Sequence, residues 1–288
     1  MKKVTKAIVL AAGRGTRFLP YTKACPKEML PIVDTPSLQL IVEEILEAGI
    51  KDILMIISPD KKEIEKHFSV DNDFESFLKE HGKTDEAELI HKIGSMANVS
   101  YAYQLVANGS GSAVMLAKDF LNGEAGAVLN GDDIVYGKSA TAQLAECYEK
   151  TGKTVIGVQQ VEKSQIVKYG SINIVEKLDP RTFVINSIVE KPPVEKAPSF
   201  YAALGRYVIS PDFFDFLAKT KVAKNGELQF TDALNIQAAE QNICAYDFEG
   251  KRYDVGDKLG YLKATVEYAL RDQNLKEGFY DYLKTIVK

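Results

Sequence analysis

Short apolar runs recur along the chain, separated by amphipathic or strongly charged stretches. Lys6 to Ala12, Asp52 to Ser58, Val99 to Gln104 and Gly126 to Asp132 are each nearly continuous in hydrophobicity. Strands covered on both faces read this way, as in a mostly parallel sheet flanked by helices. Between the first two runs, Thr35 can cap a helix with Pro36 at its first position; Leu38, Ile41, Ile45 and Leu46 share one face, and Gly49 ends it. Together these predict a βαβ unit. Residues 59–98 are densely charged with little apolar continuity and predict a helical excursion on the flank of the sheet. Past Gly152, Thr154 to Val161, Ser171 to Leu178, Thr182 to Val189 and Phe200 to Ile209 follow closely with turn signals such as Asp179-Pro180, predicting antiparallel strands mixed into or beside the first sheet. Leu259, Leu262, Val266 and Leu270 draw a helical stripe that fits a core face, with a contact to a second copy left open. No internal repeat, low-complexity linker or sharp boundary interrupts the chain, so a single α/β domain is expected.

Composition narrows the function more than the fold. The chain has 288 residues, 45% of them apolar, enough for one large core. Its 36 Lys and Arg against 40 Asp and Glu leave a formal charge of -4, which argues against a nucleic-acid binder and makes any phosphate affinity local. The apolar stretch from Ala7 to Ala12 is shorter than the ~7 to 15 residues of a secretory leader. No run approaches the ~18 residues of a membrane span, and a cytoplasmic protein is expected. Cys25, Cys147 and Cys244 are odd in number and form no C-x-x-C pair, against both a disulfide framework and a zinc site. Cys25 reads as a small apolar filler or a reactive thiol. His67, His81 and His91 fit surface or packing roles better than metal ligation.

The first chemistry-bearing stretch is LAAGRGTRFLPYTKACPKEMLPIVD, Leu10 to Asp34. A glycine turn directly after a buried strand lets backbone N–H groups approach phosphate unobstructed, which suits Gly13 and Gly15. It is not a dinucleotide fingerprint, because Phe18 stands where the third Gly belongs and Pro20 soon follows. A P-loop fails too: Phe77 and Cys147 occupy the position five residues before Gly82 and Gly152. Arg17 and Lys27 remain, with prolines 20, 26 and 31 stiffening the loop. A triphosphate attacked by a phosphate monoester concentrates negative charge that such cations can offset. Each alone also fits a solvated loop cation.

That stretch, with QLVANGSGSAV (104–114), LNGDDIV (129–135), KYGSINI (168–174), IVEKPP (188–193), ALGRYVISP (203–211), GELQFTDAL (226–234) and RYDVGDKLGYLKA (252–264), resembles the bacterial UTP-glucose-1-phosphate uridylyltransferases of the sugar-1-phosphate nucleotidylyltransferase group. The blocks span essentially the whole chain in order. The resemblance implies a Rossmann-like three-layer α/β sandwich with a mixed, mostly parallel central sheet and a small additional β region. It implies one nucleotidyltransferase domain over 1–288, with a nucleotide-binding half (about 1–135), a sugar-binding half (about 136–258) and a C-terminal helical segment (about 259–288). Ala11, Ala12, Gly13, Gly15 and Thr16 are then expected around base and phosphates, Arg17 on the triphosphate, and Lys27 bridging phosphates. Glu28, Gln104 and Gly109 are expected at the base. Asp132 and Asp254 are expected to hold a catalytic Mg2+, with Asp133 in a turn beside them. Glu190 should take sugar hydroxyls and Lys191 the sugar phosphate, with Gly170 and Gly205 admitting the sugar close to backbone. Taken alone, Glu190 and Lys191 equally fit a strand end with a solvated ion pair.

The implied activity is uridylyl transfer from UTP to glucose 1-phosphate, giving UDP-glucose and pyrophosphate without a covalent enzyme intermediate, in a homodimer or homotetramer. No Gly-x-Ser-x-Gly elbow appears, and no His lies near the motifs. The chain reads Gly109-Ser110-Gly111-Ser112-Ala113 where relatives usually read Gly-Leu-Gly-His-Ala, which leaves base contacts open; Tyr21 and Cys25 also depart from the commoner residues. Two other readings stand: a non-catalytic nucleotide-sugar-binding paralogue, and the same chemistry with dTTP or another hexose 1-phosphate.

Overall fold

The computed structural model describes residues 3–241 and 243–287. In chain order the strands are β1 (Lys6–Ala11), β2 (Pro31–Ile32), β3 (Thr35–Pro36), β4 (Asp52–Ile57), β5 (Asn98–Tyr103), β6 (Gly126–Asn130), β7 (Asp133–Tyr136), β8 (Val155–Gln160), β9 (Gly170–Lys177), β10 (Thr182–Glu190), β11 (Tyr201–Ile209), β12 (Ile243–Asp247) and β13 (Lys251–Asp254). Nine of them form one sheet in the order β5-β4-β1-β6-β11-β8-β12-β10-β9. β5, β4, β1 and β6 pair in parallel, as do β8 and β12. β10 and β11 run against the rest. β9 also pairs with β11 through Ala202↔Ser171 and Ala203↔Gly170, so the far end of the sheet curls back onto its middle.

Helices cover both faces, and each face has its own core. Ala7, Val9 and Ala11 of β1 pack into one core and Ile8 into the other, which is why β1 reads as continuously apolar. Helices Ser37–Glu47, Ala140–Thr151 and Lys258–Ala269 lie over the first core. Ser110–Met115, Phe213–Lys219 and Phe230–Gln241 lie over the second. The three-layer α/β sandwich with a mixed sheet mostly running one way is thus present. The charged segment forms helices Lys62–His67, Asn72–Glu80 and Thr84–Ser95, as its composition predicts.

Three details differ from the sequence reading. The first helix begins at Ser37, one residue later than expected, because Thr35 and Pro36 pair with Pro31 and Ile32 instead. The run expected to reach Asp132 ends as a strand at Asn130, since Gly131 and Asp132 turn the chain out of the sheet, and the β7 that follows pairs antiparallel with β13 in a separate ribbon. The C-terminal stripe is not core: Leu259 is 61% and Leu262 58% exposed, and their helix is held by Ala264 and Ala269, with Tyr261 and Tyr268 against the first core.

A buried ion pair locks these layers beneath β7. The Arg206 guanidinium on β11 donates to Glu44 at 3.0 and 2.7 Å and to the Asp133 carbonyl at 2.7 Å. Glu44 also accepts from the Thr141 amide at 3.0 Å and its hydroxyl at 2.7 Å. Only 2% of the Arg206 side chain and 4% of that of Glu44 is exposed. Removing one partner strands a charge that has lost its hydration. Arg206→Met is therefore expected to lower the unfolding free energy by about 3–5 kcal/mol, while Glu44→Leu with Arg206→Met recovers much of that loss. Denaturant titration of the three proteins checks this; a single variant as stable as the parent would contradict it.

Candidate active site

At the end of β1 the chain leaves the sheet as the loop Ala12–Gly15, followed by three single-turn 3-10 segments carrying Arg17, Lys27 and Glu28. Gly15 takes φ 64°, and a side chain there would come within 3.0 Å of Thr22 and 3.1 Å of Lys27. Only glycine fits such a left-handed, crowded position. Arg17 donates to the Gly256 carbonyl at 3.2 Å, which joins this loop to the one after β13.

The β6 end supplies the carboxylates. Gly131 donates to the Leu10 carbonyl at 3.0 Å, holding the turn against β1 and setting Asp132 beside Lys27, whose ammonium lies 2.5 Å away. The β7–β13 register places Asp133 opposite Asp254. A methyl group on Gly256 would lie 2.6 Å from Asp132 Oδ2 and 3.1 Å from Asp254 Oδ1, so these two carboxylates flank one backbone position from two chain segments. Arg252, the residue two before Asp254, pairs with Asp133, lies 3.8 Å from Asp254 and donates to the Tyr169 hydroxyl at 3.1 Å.

Burial and charge act against each other here. Burial pushes the Asp132 carboxyl up, yet Lys27, with Arg252 and Arg17 behind it, holds it below the usual carboxylate range. Burial favours neutral Lys27, and Asp132 and Glu28 overcome it, raising the ammonium above its ordinary value. Burial pushes Asp133 up to about 6 despite Arg252, and the neighbouring Asp132 adds to the rise. Glu28 is raised by burial against the opposing pull of Lys61 and Lys27. Its Oε1 is buried without a hydrogen-bond partner, and its Oε2 accepts from Lys61 at 2.7 Å.

Two adjoining cavities bring most of the expected residues together. One, of about 290 Å³, is lined by Arg17, Asp132, Lys191 and Asp254, with Asp133, Gly170, Glu190 and Gly205. The other, of about 370 Å³, is lined by Ala12, Gly13, Lys27, Glu28, Gln104 and Gly109. Leu10, Ser110, Asn130 and Asp132 line both. Ala11 lines neither, since its side chain packs in the first core. Gly15 shapes the loop from behind, and Thr16 lines a neighbouring cavity that shares Arg14 and Lys27 with the second. Gly109, at φ 103°, is required: a Cβ there would lie 2.3 Å from the Leu228 carbonyl oxygen. The Gln104 amide nitrogen donates to the Gly109 carbonyl at 3.0 Å and to Asn108 at 3.2 Å. Lys191 is a non-glycine residue at φ 45°, its amide held by the Tyr169 carbonyl at 3.0 Å and its ammonium 3.4 Å from Glu190. Such a conformation costs about 1–3 kcal/mol, and here it turns Lys191 along the cavity rim.

Sequence reasoning missed Lys61, Arg252, Asn130 and Tyr169. Arg252 and Tyr169 sit inside the quoted blocks, where a cation next to a metal-type carboxylate was a usable signal. Lys61 lies in a charged run that reads as solvated surface.

A pair of facing carboxylates suits a divalent ion that takes its remaining ligands from phosphate oxygens and water. Among the described residues no group of three or more His, Cys, Asp or Glu forms a protein-only metal cage. No described helix is long and apolar enough to cross a membrane.

Comparison with known proteins agrees with this geometry. A family model described as nucleotidyl transferase matches residues 6–271. UTP--glucose-1-phosphate uridylyltransferase 2 of Staphylococcus saprophyticus is 47% identical over 287 residues, 99% of each chain. A UTP-bound UGPase from Acinetobacter baumannii superposes with TM-score 0.90 at 32% identity, covering 99% of this chain and 100% of that one. A UDP-glucose pyrophosphorylase complexed with UDP-glucose gives TM-score 0.83 at 38% identity over 93% and 100%. With the glycine loop, the paired cavities and the carboxylates in place, the chain belongs to the nucleotidyl transferase family.

Proposed function

We propose that the protein transfers a uridylyl group from UTP to glucose 1-phosphate, releasing pyrophosphate and forming UDP-glucose. The observation that carries this reading is the sharing of Asp132 between two cavities, one fronted by the glycine loop and the other by Lys191 and Glu190. A nucleotide in the first and a sugar phosphate in the second meet at that carboxylate. The residues to about 135 supply most of the nucleotide cavity, residues 136–258 most of the sugar cavity, and helix Lys258–Ala269 packs on the first core.

In this reading Arg17 and Lys27 sit on the triphosphate and Lys191 on the acceptor phosphate, lowering the repulsion between two anions. A glucose 1-phosphate oxygen attacks the α-phosphorus in line; its new bond forms as the bond to the bridging oxygen breaks, and that electron pair leaves with pyrophosphate. The attacking glucose 1-phosphate oxygen arrives already ionised and pyrophosphate leaves as an anion, so the chemistry needs orientation and charge compensation and no general base. Mg2+, held by Asp132 and Asp254, would supply Lewis-acid stabilisation of the phosphate oxygens. Lys27 now occupies Asp132 and is the cation placed to pass from carboxylate to phosphate. Gln104, Gly109 and Glu28 face the base, and Glu190 the sugar hydroxyls.

Pyrophosphate release with UTP, glucose 1-phosphate and Mg2+ tests the reading, run beside dTTP and other hexose phosphates. Turnover fastest with the first pair is expected; UDP-glucose binding without turnover would point to a binding protein instead. Lys191→Ala and Lys191→Gly are both expected to raise the KM for glucose 1-phosphate about tenfold or more while changing that for UTP little. Glycine accepts φ 45°, so a shared loss assigns the effect to the ammonium, and equal weakening of both substrates would contradict it. Asp132→Asn is expected to lower kcat about 100-fold or more with the fold intact by circular dichroism. An unchanged Mg2+ dependence in that variant would remove Asp132 from the metal site.

A further inference from the structure

Lys61 stands behind the nucleotide cavity and is 5% exposed. Its ammonium carries three N–H donors, and each has an acceptor: the Ala11 carbonyl at 2.6 Å, the Gly13 carbonyl at 2.7 Å and Glu28 Oε2 at 2.7 Å. None is left for a ligand. The Thr22 hydroxyl binds the Gly15 carbonyl at 2.8 Å, so the alternate carbonyls at 11, 13 and 15 are all tied by side chains. On the same loop the N–H groups of Ala12, Gly13, Arg14 and Gly15 donate no hydrogen bond among the described residues. Successive backbone amides without acceptors at the mouth of a cavity form a concavity suited to anions. Left to itself a glycine-rich loop samples many conformations, and the cost of ordering it would fall on ligand binding.

We propose that Lys61 is a positioning residue for the nucleotide: by gathering the Ala11 and Gly13 carbonyls and one Glu28 oxygen, it presets the glycine loop with its amides toward the phosphates. The same ammonium leaves Glu28 Oε1 as the unpaired buried acceptor beside the nucleotide cavity. Lys61 touches neither substrate, and its effect reaches the nucleotide through the loop. The sugar cavity contains no atom that Lys61 holds, so the two substrates respond differently to its loss.

The proposal rests on the uridylyl-transfer reading, and wild-type turnover of UTP with glucose 1-phosphate tests that reading by itself. For Lys61 the variants are Lys61→Met, Glu28→Gln and the two combined, the last removing the buried charge that the first leaves stranded if it fails to fold. Calorimetry with UTP and steady-state kinetics are the measurements. Lys61→Met is expected to weaken UTP binding at least tenfold and raise its KM in step, with the KM for glucose 1-phosphate held within twofold. The combined variant is expected to bind UTP at least fivefold more weakly than Glu28→Gln alone. A parallel rise in both KM values, or a combined variant that binds UTP as well as Glu28→Gln does, would overturn the assignment.

Discussion

The site depends on keeping adjacent carboxylates charged in a partly buried place. Asp132 and Asp133 follow one another where the chain passes from β6 into β7, and burial alone would drive both toward the neutral acid. Each has a cation from a different part of the chain: Lys27 from the opening loop for Asp132, Arg252 from β13 for Asp133. The fold therefore has to bring residues near 27, 132 and 252 to one point, and the sheet order does so. β1 and β6 are neighbours, which places the opening loop beside the β6 end, while β7 leaves the sheet to meet β13. The small ribbon has a purpose in this arrangement, because pairing Asp133 with Asp254 is what delivers the second carboxylate.

Lys27 and Arg252 differ in how firmly they are committed. Arg252 is enclosed, touching Asp133, Asp254 and Tyr169 at once, with its guanidinium 5.1 Å from the Tyr169 ring centre. Several anchors of this kind fix orientation, and Arg252 is best understood as scaffolding for the carboxylates. Lys27 holds one carboxylate through one ammonium on a flexible stem and also lines the nucleotide cavity. The pair keeps both groups ionised, and the ammonium offsets the like-charge repulsion between Asp132 and its neighbouring carboxylates.

What was legible in the sequence follows the range over which each signal acts. Apolar runs betray strands locally, so β1, β4, β5, β6 and β8 to β11 fell within a residue or two of the expected bounds, although β5 lies partly exposed at the sheet edge and is not covered on both faces. The β7–β13 ribbon was missed because each strand is four residues long and their partnership spans more than a hundred positions. Glu44 and Arg206 are 162 residues apart, and each looks like an ordinary surface charge on its own segment. Most of the residues that line the two cavities fall inside the motif blocks, so their gathering in space follows short stretches of sequence. Lys61 had no such block: a lysine among charged neighbours reads as solvated until the coordinates show three acceptors converging on it. The stripe at 259–270 misled for the converse reason, as helical periodicity records a face without saying what covers it.

Ser110 bears on how the two cavities are joined. It lines both cavities, its hydroxyl accepts from the Phe230 amide at 3.1 Å, and its neighbour Gly111 donates to the Leu228 carbonyl at 2.8 Å. The Leu228 amide in turn donates to the Asn108 carbonyl at 2.8 Å, so the 108–111 loop is stitched to the segment that opens helix Phe230–Gln241. A leucine at this position would lose the hydroxyl and leave an amide at the start of that helix without its side-chain acceptor. Serine trades apolar contact for a hydrogen bond between the 108–111 loop and helix Phe230–Gln241, which also carries Thr231 and Leu234 to the cavity wall. The departure from the commoner sequence thus changes the contact between the 108–111 loop and helix Phe230–Gln241 more than the loop itself, whose glycines keep the backbone path that the close approach of Leu228 demands.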